Sequence, residues 1–207
     1  AELRSRLRIL DYSNTKTVEV IVIDCAPTGE TLALLSFPEM MRWWMEKLFP
    51  FKRKAVKIVK PVVEPIVGLP LPSDDVMGEI QSIYYQLDEM RGILSDREVT
   101  SIRLVLNPEK MVIKESQRSF TYLNIYDFPV DAVVINRVIP EEVTDEYFRG
   151  WKDIQKKYLV HINESFAPLP QYMAPLFEQE VVGVEMLAKM AHAVFGEEDP
   201  TAIKYQR

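Results

Sequence analysis

Short apolar, β-branched runs constrain the fold of this chain most. Three of them, Thr17–Cys25, Ser101–Asn107 and Asp131–Val138, have the length and composition of strands buried on both faces. Such strands are typical of parallel sheets covered by helices. Pro108–Asn124 carries apolar residues at helical spacing between the last two runs, with Pro108 in its first turn, which gives a strand–helix–strand unit. The sequence therefore predicts an α/β fold with a mostly parallel sheet and flanking helices.

The C-terminal third of the chain continues this alternation of strands and helices. Tyr172–Phe177 is predicted to be a short strand that leads into a helix over Glu178–Phe195. A further helix is predicted over Asp145–Glu164, with its aromatic and apolar residues on one side. The charge-rich stretch Glu141–Lys157 is interpreted as a solvated helix face.

The stretch Pro38–Asp96 differs in texture and predicts an all-helical subdomain inserted between two strands. Six apolar residues in it keep an alternating spacing of four and three, the pattern of a helix packed on another helix: Val76, Ile80, Ile83, Leu87, Met90 and Leu94. We therefore expect three parts. Residues 1–37 and 99–207 form the α/β domain, and residues 38–98 form the insert.

Composition excludes several classes of protein. The net charge of −6 and the pI near 5.1 argue against a nucleic-acid-binding surface, which is usually basic. Cys25 is the only cysteine, so the chain has no internal disulfide and no cysteine-based zinc site; we expect it to be small and buried. No apolar run reaches the roughly 20 residues that span a bilayer. We expect a cytoplasmic protein, with peripheral attachment to a membrane left open.

The segment Ile21–Pro38 carries the chemistry that the sequence shows best. Its apolar run delivers Asp24 to the carboxyl end of a predicted strand, where open α/β sheets bind ligands and where a carboxylate can hold a Mg²⁺-bound water. Pro27, Thr28 and Gly29 then form a turn whose backbone N–H groups can sense a γ-phosphate. The alternative is that Asp24 only caps a turn.

Three separated motifs together resemble one family. Asp24–Leu32 (DCAPTGETL) resembles the second switch motif of the arsenite-pump and tail-anchored-protein-targeting ATPases. Val134–Pro140 (VINRVIP) is similar to the family's strand that ends in an adenine-reading asparagine. Ala174–Gly183 (APLFEQEVVG) is similar to its proline-containing adenine loop and the helix after it. The order of the motifs and the helical insert between the first two also match the family.

The resemblance implies a P-loop NTPase of the deviant Walker A type that uses ATP and Mg²⁺. It implies that Asp24 contacts the Mg²⁺ water shell and that Pro27–Gly29 form the switch. It also implies that Asn136 hydrogen-bonds the adenine edge and that Pro175 and Leu176 lie against the base. An amide can donate to and accept from adenine at once, which suits that role. Without the family, Asn136 would be interpreted as a strand-end asparagine in a turn.

Two departures from the family pattern limit what the chain is expected to do. Glu30 stands where the family's switch usually has histidine. The 207 residues contain no Gly-x-x-x-x-Gly-Lys-[Ser/Thr] loop and no lysine-rich variant of it. We therefore expect that the N-terminal strand and phosphate loop are missing, and that this C-terminal portion alone does not catalyse hydrolysis.

The helix predicted after the switch has two interpretations. Met40, Met41, Trp44 and Met45 resemble an adaptable surface for hydrophobic client helices, as in the targeting branch of the family. They can equally be helix-packing core. Trp43 and Trp44 point in different directions, so one simple stripe does not bury both.

Two functional hypotheses follow. The first is a portion of a Mg²⁺-dependent ATPase that couples ATP hydrolysis to efflux of an arsenite-type anion or to membrane-protein delivery. Its expected partners are a second copy or a missing N-terminal portion, a hydrophobic client helix, or a membrane pump subunit. The second is a non-enzymatic module that holds a hydrophobic helix or partner subunit on the helical insert. Arsenite itself has no support from a chain whose only cysteine is Cys25.

Overall fold

The computed structural model describes residues 19–25 and 74–202, without the side chains at 74–77 and 80. The chain divides into two compact units, Ala1–Leu94 and Ser95–Arg207. The boundaries of the helical insert at residues 38 and 98 stay predictions.

The first unit contains helix α1 (Asp74–Ser95). The structure confirms a helix here and corrects its packing face. Leu87 and Met90 are buried as predicted, but Ile83 is 43% exposed and Tyr84 is buried in its place. A 4,3 spacing of apolar residues indicates a helix face suited to packing, but it does not show which residues of that face a partner covers.

Residues 19–25 correct two expectations. They form neither helix nor strand and are exposed, with Val22 at 89%. The prediction of a buried strand over Thr17–Cys25 is therefore wrong for the described part of that range, and the thiol of Cys25 is exposed rather than buried. A strand buried on both faces needs paired neighbours and covering helices, and this segment has no ladder partner among the described residues.

The second unit alternates strands and helices as the apolar runs predicted. Its elements are β1 (Ile102–Leu106), α2 (Lys110–Ile125), β2 (Val130–Val138), α3 (Glu146–Phe166), β3 (Gln171–Pro175) and α4 (Gly183–Phe195). The three strands form a parallel sheet in the order β1-β2-β3. This confirms the α/β class with a parallel sheet and flanking helices.

Strand β2 lies in the middle of the sheet and is the most buried. Its edges pair with β1 and β3, and Ala132, Val133 and Ile135 have no exposed surface. Helices α2 and α3 pack on the sheet against Val133 and Ile135. The buried cluster is Leu106, Ile113, Val133, Ile135, Ile162 and Phe166. This core fixes β2, and so fixes the position of the strand end that follows.

The helix boundaries differ from prediction where the backbone demands it. Helix α2 begins at Lys110 with Glu109 in the N-cap position, so Pro108 precedes the helix rather than lying in its first turn. Helix α4 begins at Gly183, five residues later than predicted, because the φ of Gly183 is +82° and a right-handed helix cannot continue through that angle. Of the helices between residues 74 and 202, none has the length and hydropathy of a membrane span.

Candidate functional site

The carboxyl ends of β2 and β3 meet at one edge of the sheet, because the strands are parallel. Val138 pairs with Pro175, and the amide of Leu176 donates to the carbonyl of Val138 at 2.8 Å. Asn136 lies two residues before Val138 and is half-buried, as Pro175 is, while Leu176 is 41% exposed. The structure thus brings the three residues that the resemblance assigned to adenine onto neighbouring strand ends.

Strand β2 carries a bulge at this edge. Ile135 pairs with Met173 and Val138 with Pro175, so Asn136 and Arg137 together oppose the single residue Ala174. The φ of Arg137 is +58°, in the left-handed region that costs an arginine about 1–3 kcal/mol. Bulges next to binding sites re-aim a side chain and end the regular pairing. This bulge was not predicted from the sequence, since the segment contains no glycine.

Gln155 on α3 holds the backbone just after the bulge. Its Oε1 accepts from the amide of Ile139 at 2.8 Å, and its Nε2 donates to the carbonyl of Ile139 at 3.2 Å. Only 7% of Gln155 is exposed, so these two bonds satisfy a buried amide that would otherwise lack partners. The interpretation of Glu141–Lys157 as a solvated face is therefore wrong at Gln155.

Lys152, one turn before Gln155, ties down the loop between β2 and α3. Its side chain is 14% exposed, and its Nζ donates to the carbonyls of Glu141 and Val143 at 2.7 and 3.2 Å. The same Nζ lies 3.3 Å from Oε2 of Glu141, while Lys156 approaches the other carboxylate oxygen at 3.6 Å. The interpretation of a solvated helix face is wrong for Lys152 too, because its ammonium group donates to backbone carbonyls of the loop instead of facing water.

The pKa of Glu141 is lowered from its ordinary value of 4.5, first by the hydrogen bond from Lys152, then by the charges of Lys152 and Lys156. A lowered native pKa stabilises the fold above about pH 4.5, and this contribution is lost as the pH falls through the lowered value. We expect Lys152→Met to return the pKa of Glu141 towards 4.5 and Lys156→Met to shift it less. A carboxyl NMR titration of the two variants measures this. An unchanged pKa in Lys152→Met would contradict the assignment.

Asp24 is the only residue of the predicted switch site that the structure describes. It is exposed, in a segment with no regular secondary structure. Pro27, Thr28 and Gly29 lie outside the described residues, as do Met40, Met41, Trp44 and Met45 of the predicted client surface.

Magnesium fits Asp24 in one respect. Mg²⁺ usually keeps several waters and takes one or two carboxylates together with substrate phosphates, so a lone exposed carboxylate suits contact through water. Among the described residues no group of three or more acidic, histidine or cysteine side chains gathers as a metal site. The donor set therefore fits a water-mediated contact rather than an all-protein cage.

Comparison with known proteins decides the family. The sequence model of a family described as anion-transporting ATPase matches residues 1–196. The chain belongs to this family. Asn136 and Pro175, which the resemblance assigned to adenine, lie on β2 and β3 within the matched range. The resemblance stated from the three motifs is confirmed at the level of the family.

Individual relatives of this anion-transporting ATPase family member carry two kinds of name. A putative arsenical pump-driving ATPase 1 of Aquifex aeolicus is 40% identical over 206 residues, which is 98% of this chain and 52% of that protein. A putative arsenical pump-driving ATPase of Chlorobaculum tepidum is 39% identical over 210 residues, 99% of this chain and 51% of that protein. An ATPase named get3 of Pyrenophora tritici-repentis is 27% identical over 198 residues, 92% and 57% of the two chains. The chain spans about half the length of these curated relatives.

Proposed function

We propose that this chain binds an adenine nucleotide at the carboxyl edge of its second unit, as one part of a Mg²⁺-dependent ATPase. The observation that carries the proposal is the junction of two strand ends. The backbone bond from Leu176 to Val138 joins the Pro175–Leu176 segment to the strand that bears Asn136. Ligands of open α/β sheets bind outside the carboxyl ends of the strands, which is where this junction lies.

The chemistry of the three residues supports adenine as the ligand. The side-chain amide of Asn136 has donors and an acceptor in one plane, and the Watson–Crick edge of adenine presents one of each. Pro175 and Leu176 offer an apolar surface whose backbone is fixed by its pairing with Val138, so little conformational freedom is lost on binding a flat base. Gln155 rigidifies the backbone on the other side of Val138 through its two bonds to Ile139.

Family membership supports the remaining parts of the proposed ATPase. Asp24 is assigned to the Mg²⁺ water shell and Pro27–Gly29 to the switch that senses the γ-phosphate. When bound, Mg²⁺ would neutralise charge on the phosphates. The chain has no phosphate loop of its own, and on this proposal it binds nucleotide but does not hydrolyse it alone.

The cellular role that we propose is coupling of ATP hydrolysis to efflux of an arsenite-type anion or to delivery of a membrane protein. The names of the relatives described as putative arsenical pump-driving ATPases support the first role. The second role rests on the resemblance of the three motifs to the family's targeting branch. A second copy, a membrane pump subunit or a hydrophobic client helix is the partner that each role needs. Both roles belong to a cytoplasmic protein that works at a membrane.

Calorimetric titration with ATP and with ADP, each with Mg²⁺, tests the binding proposal. We expect sub-millimolar affinity, and we expect Asn136→Ala to weaken it about tenfold or more, which is about 1.4 kcal/mol. The loss has this size because the variant removes hydrogen bonds that orient the base. Asn124→Ala is the matched control, since the Asn124 amide is exposed and bonds only to the carbonyl of Phe120 within its own helix among the described contacts.

Two results would contradict the proposal. An Asn136→Ala variant with the affinity of the unchanged chain would remove Asn136 from the site. Absence of heat at millimolar nucleotide, from a chain shown to be folded by circular dichroism, would reject nucleotide binding by this chain. It would direct attention to the helical insert as a binding module.

A further inference from the structure

Two described residues other than glycine have a left-handed backbone, Asp127 with φ +59° and Arg137 with φ +58°. Side chains with a Cβ disfavour this region because the Cβ crowds the following carbonyl oxygen. Such a residue persists only where its surroundings impose it or where its side chain is needed. The first explanation accounts for Asp127, and the second is the one that remains for Arg137.

The backbone of Asp127 is explained by the end of α2. The amide of Phe128 donates to the carbonyl of Leu123 at 2.8 Å, and the amide of Asp127 to that of Asn124 at 3.1 Å. This pair of bonds is the Schellman motif, which places a left-handed residue just after the helix. Aspartate also enters this region more readily than most residues. Chain reversal alone therefore accounts for Asp127.

Arg137 has no such explanation. It lies inside a strand, at the bulge opposite Ala174, and arginine is not among the residues that favour a left-handed backbone. Its side chain is exposed and makes no hydrogen bond or ion pair with the described residues. No contact of the guanidinium with the described residues offsets the cost of the left-handed backbone. Glycine would adopt the same backbone angles without that cost.

We propose that the guanidinium of Arg137 binds the base of the nucleotide whose edge Asn136 reads, so that the bulge at Asn136 and Arg137 presents two base-binding side chains instead of one. This inference rests on the proposed function and adds a residue to the same site. Arg137 follows Asn136 directly, on the edge formed with Pro175 and Leu176. A guanidinium is planar and stacks on aromatic faces, which complements an amide that reads the edge of the same ring.

The test separates affinity from stability by comparing alanine with glycine at both left-handed positions. Arg137→Ala and Arg137→Gly both remove the side chain, but only glycine relieves the backbone. We expect Arg137→Gly to have a Tm about 2–6 °C above that of Arg137→Ala. Asp127→Gly and Asp127→Ala should show the same ordering, because the relief has the same origin.

Affinity should follow a different pattern. We expect both Arg137 variants to bind ATP and ADP about 3–30-fold more weakly than the unchanged chain, the range for a cation stacked on an aromatic ring. Both Asp127 variants should bind within about twofold of the unchanged chain. A higher Tm in Arg137→Gly than in Arg137→Ala, together with a loss of affinity in both variants, shows that the strained residue serves the ligand and not the fold.

A series of adenine nucleotides decides what Arg137 touches. For contact with the base, the loss in the Arg137 variants is equal for ATP, ADP and AMP, with AMP measured by competition. A loss that grows with the number of phosphates overturns the assignment to the base. Arg137 variants that bind like the unchanged chain, while Asn136→Ala does not, overturn this inference and leave the proposed function standing. Failure of the unchanged chain to bind any adenine nucleotide overturns both.

Discussion

Phe166→Ala is expected to destabilise the second unit by about 3–5 kcal/mol, the range for removing a fully buried phenylalanine. Phe166 is the last residue of α3 and has no exposed surface. Its ring packs edge to face with that of Phe120, with the ring centroids 5.7 Å apart. Its neighbours in the core include Val133 and Ile135, which lie two residues apart on one face of β2. Because the interior is close-packed, these neighbours cannot move far enough to fill the space that the ring leaves.

Hydrogen exchange of the β2 amides, followed by mass spectrometry, reports this loss for the second unit separately from the first. The matched control is Tyr147→Ala on the same helix. Tyr147 also meets a neighbouring ring edge to face, at 5.3 Å from Phe148, but it is 74% exposed. We expect the control to change stability by about 1 kcal/mol or less, as exposed substitutions do. Equal effects of the two variants would contradict the assignment of the core.

The strands of the second unit were predictable because neighbouring strands and helices bury the apolar residues that each strand carries. Asp131–Val138 was predicted as a strand buried on both faces, and β2 is buried on both faces because it has a strand on each edge and helices packed against it. Thr17–Cys25 has the same composition, yet residues 19–25 are exposed. An apolar run indicates that a segment is suited to burial, but it does not indicate which partner buries that segment.

Some residues of the candidate site were likewise predictable from the sequence, and others were not. Asn136, Pro175 and Leu176 were predicted to act together, and parallel strands deliver their ends to one edge, so their proximity follows from topology. The bulge at Arg137 was missed because a positive φ at arginine leaves no local signature. Gln155 was missed because its partner Ile139 is sixteen residues away and its own helix is rich in charge.

A second large effect is expected at the opposite edge of the sheet, where the strands begin. Asp131 is the second residue of β2 and has no exposed side-chain surface. The hydroxyl of Ser101 donates to its Oδ1 at 2.8 Å, and the Nε of Arg103 lies 3.7 Å from the same oxygen. Arg103 in turn donates to the carbonyls of Pro200 and Ala202 at 2.6 and 3.1 Å. The carboxylate thus orients an arginine that holds the C-terminal turn.

Asp131→Ala is expected to destabilise the second unit by about 3 kcal/mol, since it leaves the guanidinium of Arg103, whose side chain is 21% exposed, without its buried counter-charge. Asp131→Asn should cost less, because the amide oxygen still accepts from Ser101. Arg97→Ala is the control, because it breaks the 3.0 Å salt bridge between Arg97 and Asp127. The two side chains are 62% and 75% exposed, and an exposed salt bridge contributes about 0–1 kcal/mol to stability.

Hydrogen exchange distinguishes this buried pair from a packing defect. If Asp131 acts through Arg103, the amides of Asp199, Thr201 and Ala202 exchange faster in Asp131→Ala than in Phe166→Ala at matched loss of stability. Only the first change releases the arginine that holds the carbonyls of Pro200 and Ala202. Equal exchange in the two variants would mean that Asp131 stabilises the start of β2 alone. The buried carboxylate would then stabilise only its own strand. The turn at residues 199–202 would be held by its internal bonds, such as the amide of Ala202 donating to the carbonyl of Asp199 at 3.2 Å.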